Sequence, residues 1–156
     1  MTSSVNKVRT NYVHITDVER FKAILQNCIT ENGTKIEVLE SVDSNGQKVY
    51  GFAVADDIAG YEVDAQGHVV DQIDGKPEDE DFEISADAYL EDLQSVIATG
   101  DALIITTIGY EKMRWLTGEV MILTNDEIMY HNLENIARKS AQKMLNNPEW
   151  DTQMYF

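Results

Sequence analysis

Residues 102 to 108, Ala-Leu-Ile-Ile-Thr-Thr-Ile, constrain the fold more than any other stretch of the chain. An uncharged run rich in β-branched side chains reads as a strand, and one that is apolar at consecutive positions needs cover on both of its faces. Such a strand belongs in the middle of a sheet. Its expected partners follow at once: Met113 to Leu116, continued by Glu119 to Thr124, then Glu127 to His131 beyond a turn at Asn125-Asp126. Gly118 inside the middle strand predicts a bulge.

Upstream, residues 1 to 10 are polar and expected to be flexible, and Tyr12-Val13-His14-Ile15 reads as a short strand. Thr16-Asp17-Val18-Glu19 has capping-box form, in which the Thr hydroxyl and the Glu carboxylate satisfy free amides at a helix start. Behind it Val18, Phe21, Leu25, Cys28 and Ile29 recur at helical spacing, predicting a helix over 17–29. Lys35 to Glu40 and Lys48 to Ala55 flank Asp43-Ser44-Asn45-Gly46, and Asn-Gly between two strand patterns is a strong hairpin signal. Tyr61-Glu62-Val63 and His68-Val69-Val70 predict a second hairpin about Asp64-Ala65-Gln66-Gly67. Ser85 is the expected N-cap of a helix over 86–99, with Tyr89, Leu90, Leu93, Val96 and Ile97 as its apolar stripe and Gly100 closing it. Asn132 caps a last helix, in which Leu133, Ile136, Ala137, Ser140, Ala141, Met144 and Leu145 form the cleanest amphipathic pattern, stopped at Asn146-Asn147-Pro148. The tail over 147–156 keeps Trp150, Met154, Tyr155 and Phe156 and is expected to dock on the core or on a partner.

The order β-α-β-β-(β-β)-α-β-β-β-α predicts an α+β fold, a mostly antiparallel sheet with about three helices on one or both faces. At 156 residues a single domain is expected over 1–156, large enough to bury roughly 70% of its unfolded surface.

Charge is the outlying property. The net −16 divides as +2 over residues 1–30, −17 over 31–111 and −1 over 112–156. Ten of the twenty-two residues from Asp71 to Asp92 are carboxylates, opposed only by Lys76. Such a chain repels nucleic acid and anionic membrane and is steered toward basic partners. Residues 74–83 read as an acidic loop leading to the second helix, where Asp87 and Glu91 are spaced i, i+4 beside Asp92, away from the apolar stripe. Carboxylates at these spacings lie roughly 6 to 7 Å apart, comparable to the separation of backbone phosphates. The candidate partner-binding set is therefore Asp74, Glu78, Asp79, Glu80, Asp81, Glu83, Asp87, Glu91 and Asp92. A purely solubilising acidic face is the competing account.

Enzyme chemistry has little to stand on. Cys28 lies on the buried stripe of the first helix, where cysteine acts as a small hydrophobe. The sequence holds no nucleophile elbow, phosphate-binding loop or dinucleotide fingerprint. His14, His68 and His131 are scattered without metal-ligand spacing, although His14 and His131 would be neighbours if their strands paired. Two turns, Glu62 to Gly67 and Asp43 to Gly46, resemble calcium loops with glycine in the sixth place, but carry Ile73 and Phe52 in the twelfth, where a bidentate glutamate is needed. Asp56-Asp57 is the one carboxylate pair that could line a cleft. No catalytic, cofactor-binding or metal-ligating residue is assigned, and no cofactor is expected. With one cysteine, no apolar leader and no span of membrane length, a cytoplasmic protein is expected.

The size, the lone cysteine, the mixed α+β order and the run Glu78-Asp79-Glu80-Asp81-Phe82-Glu83 resemble small acidic proteins of bacterial mobile elements and phages. Some of those block CRISPR nucleases or restriction enzymes by occupying their DNA site. Tyr12-Val13-His14-Ile15-Thr16-Asp17, Tyr50-Gly51-Phe52 and Asn147-Pro148-Glu149-Trp150 look like phrases of the same group. None is a catalytic motif, and no site transfers residue by residue. The resemblance implies a non-enzymatic inhibitor of the anti-CRISPR or anti-restriction type that mimics DNA toward a basic nucleic-acid-binding protein, as a monomer or homodimer. An immunity protein for a nuclease toxin, or a homodimeric accessory module contacting through its tail, are the alternatives.

Overall fold

A computed structural model describes residues 4–63, 83–111 and 115–152. Its first strand, β1 (Ser4–Thr10), lies where flexible chain is expected. Val8 and Thr10 are buried while Lys7 and Arg9 are exposed, a period of two that short polar neighbours conceal in the sequence. The strand is fixed by its partners, with Val8 opposite both Val54 and Thr107, and Thr10 opposite Ile105.

Around β1 run β3 (Glu37–Val42), β4 (Lys48–Val54), β7 (Leu103–Glu111), β8 (Trp115–Leu123) and β9 (Ile128–Asn132). They form a six-stranded sheet in the order β3-β4-β1-β7-β8-β9, and every neighbouring pair is antiparallel. A smaller antiparallel sheet joins β2 (Ile29–Thr30), β5 (Ile58–Val63) and β6 (Glu83–Ser85) in the order β2-β5-β6. With helices α1 (Val18–Asn27), α2 (Ala86–Val96) and α3 (Leu133–Met144), the fold is α+β, as the pattern of the sequence predicts. The hairpin at Asn45-Gly46 is present, Gly46 supplying the positive φ and the amide of Asp43 donating to the carbonyl of Gln47. Of the second expected hairpin, Tyr61-Glu62-Val63 falls in β5, which pairs with β2 and β6, while its turn and its other arm, His68-Val69-Val70, lie outside the described residues.

The core lies between one face of the large sheet and the pair α1 and α2. Phe21 of α1 places its ring 6.4 Å from both Tyr50 and Phe52 of β4, and Tyr89 of α2 meets Tyr61 of β5 edge-on at 6.3 Å. Ile24, Leu25, Leu93 and Val96 complete the helical side, over Val8, Phe52, Leu103, Ile105 and Leu123. Each such side chain contributes about 1.5–3 kcal/mol by leaving water. Tyr12 to Ile15 is no strand. Val13 and Ile15 make single bridges, to Tyr50 and Ile97, as the chain crosses from β1 to α1.

The caps refine the helix bounds. Asp17 rather than Thr16 caps α1, its side chain accepting from the amide of Arg20, because the Thr16 hydroxyl donates instead to the carbonyl of Val96. Ser85 and Asn132 cap α2 and α3 as expected, accepting from Ala88 and Asn135. Helix α2 stops at Val96, before the predicted end at 99, since Ile97 turns into its bridge with Ile15.

Two expectations about the central strands are overturned. Strand β7 has cover on one face only: Leu103 and Ile105 are buried, whereas Ile104, Ile108 and Tyr110 are exposed. Gly118 makes no bulge, because β8 keeps its register through Ile108↔Gly118; a Cβ there would run into the Leu133 side chain, so the glycine makes room for the start of α3. Gly60 is more tightly bound to its residue type. Its φ is +125°, and a Cβ would overlap the backbone of Ser85 and Ala86. Gly60→Ala should therefore cost more than about 2 kcal/mol in urea denaturation, while Gly118→Ala, which displaces only a mobile side-chain end, should cost less than about 1 kcal/mol. Equal losses would contradict this account of both glycines.

Candidate functional site

The acidic surface is built on α2. With Tyr89, Leu90, Leu93 and Val96 turned into the core, the helical period sends Asp87 and Glu91 outward, and both are exposed. No described cation pairs with either. Asp87 also sits in the first turn, where a negative charge is favoured by the helix dipole.

Asp92 departs from the expected outer face. It turns toward α1, where Arg20 Nη2 meets its Oδ2 at 2.7 Å. An ion pair this accessible contributes at most about 1 kcal/mol, and it links α2 to α1. The same carboxylate, after burial, holds the Tyr61 phenol above its ordinary pKa. Glu83 lies in β6 opposite Val63. Asp74, Glu78, Asp79, Glu80 and Asp81 fall outside the described residues. The structure thus brings Asp87, Glu91 and Asp92 onto one helix, two facing solvent and one committed to Arg20.

Several other carboxylates serve the fold. Asp56 is buried and accepts from the amides of Asn32 (2.9 Å), Thr34 (3.2 Å) and Asp57 (2.8 Å) and from Asn32 Nδ2 (2.9 Å). Burial alone would raise its pKa, but these donors outweigh it and hold the carboxyl at about 2. Asp57 accepts from the Asn6 side chain and shares a hydrogen bond with Glu31, which pushes the Glu31 pKa up. Asp56 and Asp57 therefore anchor the turn over residues 31–34, and of the two only Asp57 reaches a cavity, of about 150 Å³, which Tyr89, Glu119 and Tyr130 also line.

A cluster without a local signature in the sequence joins three distant segments. His14 Nε2 lies 2.6 Å from Asp43 Oδ2, and its Nδ1 lies 2.9 Å from Asp101 Oδ2, which also accepts the His14 amide at 2.8 Å. The imidazole clips the β3–β4 turn and the loop before β7 to the segment between β1 and α1. Hydrogen bonds to Asp43 first, then to Asp101, raise its pKa. The bond from His14 lowers that of Asp43. At Asp101 burial acts upward, but the His14 amide and ring and the Ala102 amide bring the net shift below the ordinary value. With both ring nitrogens taken, this histidine is a staple rather than a free base. His131 sits on β9, with β1, β7 and β8 separating it from β4, so the two histidines are not neighbours.

Cys28 lines a groove of about 490 Å³ between α1 and residues 33–38, with Lys22, Leu25 and Ile36. Burial and, after it, the charge of Asp92 push its thiol up to about 12, which keeps it protonated and poorly nucleophilic. Among the described residues no three His, Cys, Asp or Glu side chains converge as a metal-holding group. No described helix is long and apolar enough to cross a membrane. No protein-family model, curated protein or solved structure matches the chain.

The staple has a pH signature. Because the folded pKa of His14 is raised above 6.5, its contribution is complete below pH 6.5 and is lost as pH rises through the folded value. Asp43 and Asp101 are lowered from 3.8, so theirs is complete above pH 3.8 and is lost as pH falls through the folded values. Stability should be greatest between these limits, and His14→Gln should remove the alkaline decline. An imidazole NMR titration with a midpoint at or below 6.5 would contradict the assignment.

Proposed function

We propose that this protein is a non-enzymatic, cytoplasmic inhibitor that occupies the basic nucleic-acid-binding surface of a nuclease or related defence effector, in the manner of a DNA mimic. The observation that carries this reading is the outward pair Asp87 and Glu91 on a helix held by its core packing and linked to its neighbour by Arg20 and Asp92. A charged surface held on rigid elements meets a basic groove at lower entropic cost than loose side chains do. The approach to α2 extends the same sign of charge, since 31–111 carries −17 of the net −16 while the remainder carries +1. The buried or hydrogen-bonded roles of Asp43, Asp56, Asp57 and Asp101 leave those carboxylates to the fold and concentrate the free ones elsewhere. An immunity protein for a nuclease toxin would use the same electrostatics.

Association with such a partner should be fast and strongly salt-dependent. The test is capture of basic DNA-binding nucleases at low and moderate salt, by the natural chain and by a variant with Glu78, Asp79, Glu80, Asp81, Asp87 and Glu91 changed to their amides. The account expects competition with duplex DNA and at least about a tenfold loss of affinity in the variant. Unchanged affinity and inhibition in that variant would sink it.

A further inference from the structure

We infer that the open face of the six-stranded sheet and helix α3 together form the interface of a twofold-symmetric homodimer, with α3 of each copy lying on the exposed sheet face of the other. This does not rest on the inhibitory reading, since it concerns a different surface.

The register of the strands lays out that face in rows. Ile104, Ile122 and Met129 stand side by side across β7, β8 and β9; Thr106, Val120 and His131 form the next row; Ile108 neighbours Gly118, over which Leu133 lies; Tyr110 pairs with Leu116. Ile108 is 54% exposed, Leu116 61% and Met129 54%, against 5% for Ile105 on the covered side of the same strand. Among the described side chains of β1, β7, β8 and β9, none on this face is a carboxylate; its charges are Lys7 and Arg9. In a chain with 28 acidic residues, an apolar face free of them is an exception to be explained.

Helix α3 has the complementary defect. Its apolar stripe is regular, but none of its residues is buried: Leu133, which touches the sheet at Gly118, is still 60% exposed, and Ile136 (46%) and Met144 (87%) are exposed as well. The two edges of the sheet differ in the same sense. Strand β3 carries Glu37 and Glu40, the kind of charge that blocks edge pairing, whereas β9 runs Ile-Met-Tyr-His-Asn with no acid at all.

A second copy is the occupant that resolves all three features at once. Two exposed apolar surfaces on one chain become two filled ones across a twofold axis, each copy supplying what the other lacks. The segments brought together, 103–110 with no charged residue and 112–156 with only −1, repel little on apposition, and the acids of the middle of the sequence lie mainly elsewhere. Eight large apolar side chains at about half exposure offer several hundred Å², on the order of the ~800 Å² per partner that a stable interface buries.

Sedimentation of the full chain at micromolar concentrations should give twice the monomer mass of 17.6 kDa. Ile108→Glu and Ile136→Glu, each present twice in the dimer, should separately return it to the monomer mass with about a 30-fold or greater rise in dissociation constant. Both positions are solvent-facing in the single chain, so thermal unfolding of the diluted variants should remain cooperative. Hydrogen exchange on the unaltered chain provides a second reading, with protection over residues 128–144 that increases with protein concentration. A natural chain that stays monomeric, a dimer indifferent to both substitutions, or exchange independent of concentration would each overturn the inference. So would dimerisation only of a chain ending at Thr152, which would assign the surface to the chain's own last four residues.

Discussion

The burial of one face of the large sheet along β1 and β7 is the constraint on which the rest of the structure depends. Phe21, Ile24, Leu93 and Val96 descend from α1 and α2 onto Phe52, Leu103 and Leu123, and this layer holds β4, β1, β7 and β8 in register. Alternation along β1 and β7 fixes which face is covered there, whereas β4 is buried at consecutive positions from Val49 to Phe52. Val8, Thr10, Ile105 and Leu103 go inward; Lys7, Arg9, Ile104 and Ile108 go outward. The second sheet, the caps and the connections at Gly60 and Thr16 serve to seat the two helices on that face.

Electrostatics is organised around the same asymmetry. The net charge suggests a uniformly acidic particle, but the carboxylates divide by role. Asp56 gathers backbone donors in a buried turn, Asp43 and Asp101 hold His14 between them, and Asp92 spans to Arg20. These contacts convert charge that would repel into contacts that fix loops, and they explain how a chain of −16 tolerates so many like charges within one fold. Asp87 and Glu91, exposed on α2, enter no such contact with the described residues. On the far side of the sheet the chemistry inverts, to apolar side chains with a few bases.

Local signals in the sequence were sufficient wherever the determinant is local. Asn45-Gly46 announces its hairpin, Ser85 and Asn132 announce their helices, and the α+β class follows from the succession of periods. Where the determinant is a distant partner, the sequence misleads. Strand β1 reads as loose chain because its β character comes from β4 and β7 on either side, and Thr16 yields the cap to Asp17 because Val96, eighty residues on, takes its hydroxyl. Gly118 is explained by a helix that begins fifteen positions later. The His14 staple joins residues 29 and 87 positions apart and so has no spacing to recognise. The run at 102–108 is the instructive case. Its hydrophobicity predicts cover on both faces, and the described residues supply it on one.

The most direct test of this account is solvent paramagnetic relaxation of isoleucine methyls in the monomeric protein, using a neutral gadolinium chelate. One-faced burial predicts strong broadening at Ile104 and Ile108 and almost none at Ile105, adjacent residues on the same strand. Equal protection of all three would mean that the chain itself covers both faces, contradicting the asymmetry from which the fold, the charge distribution and the proposed interface are derived.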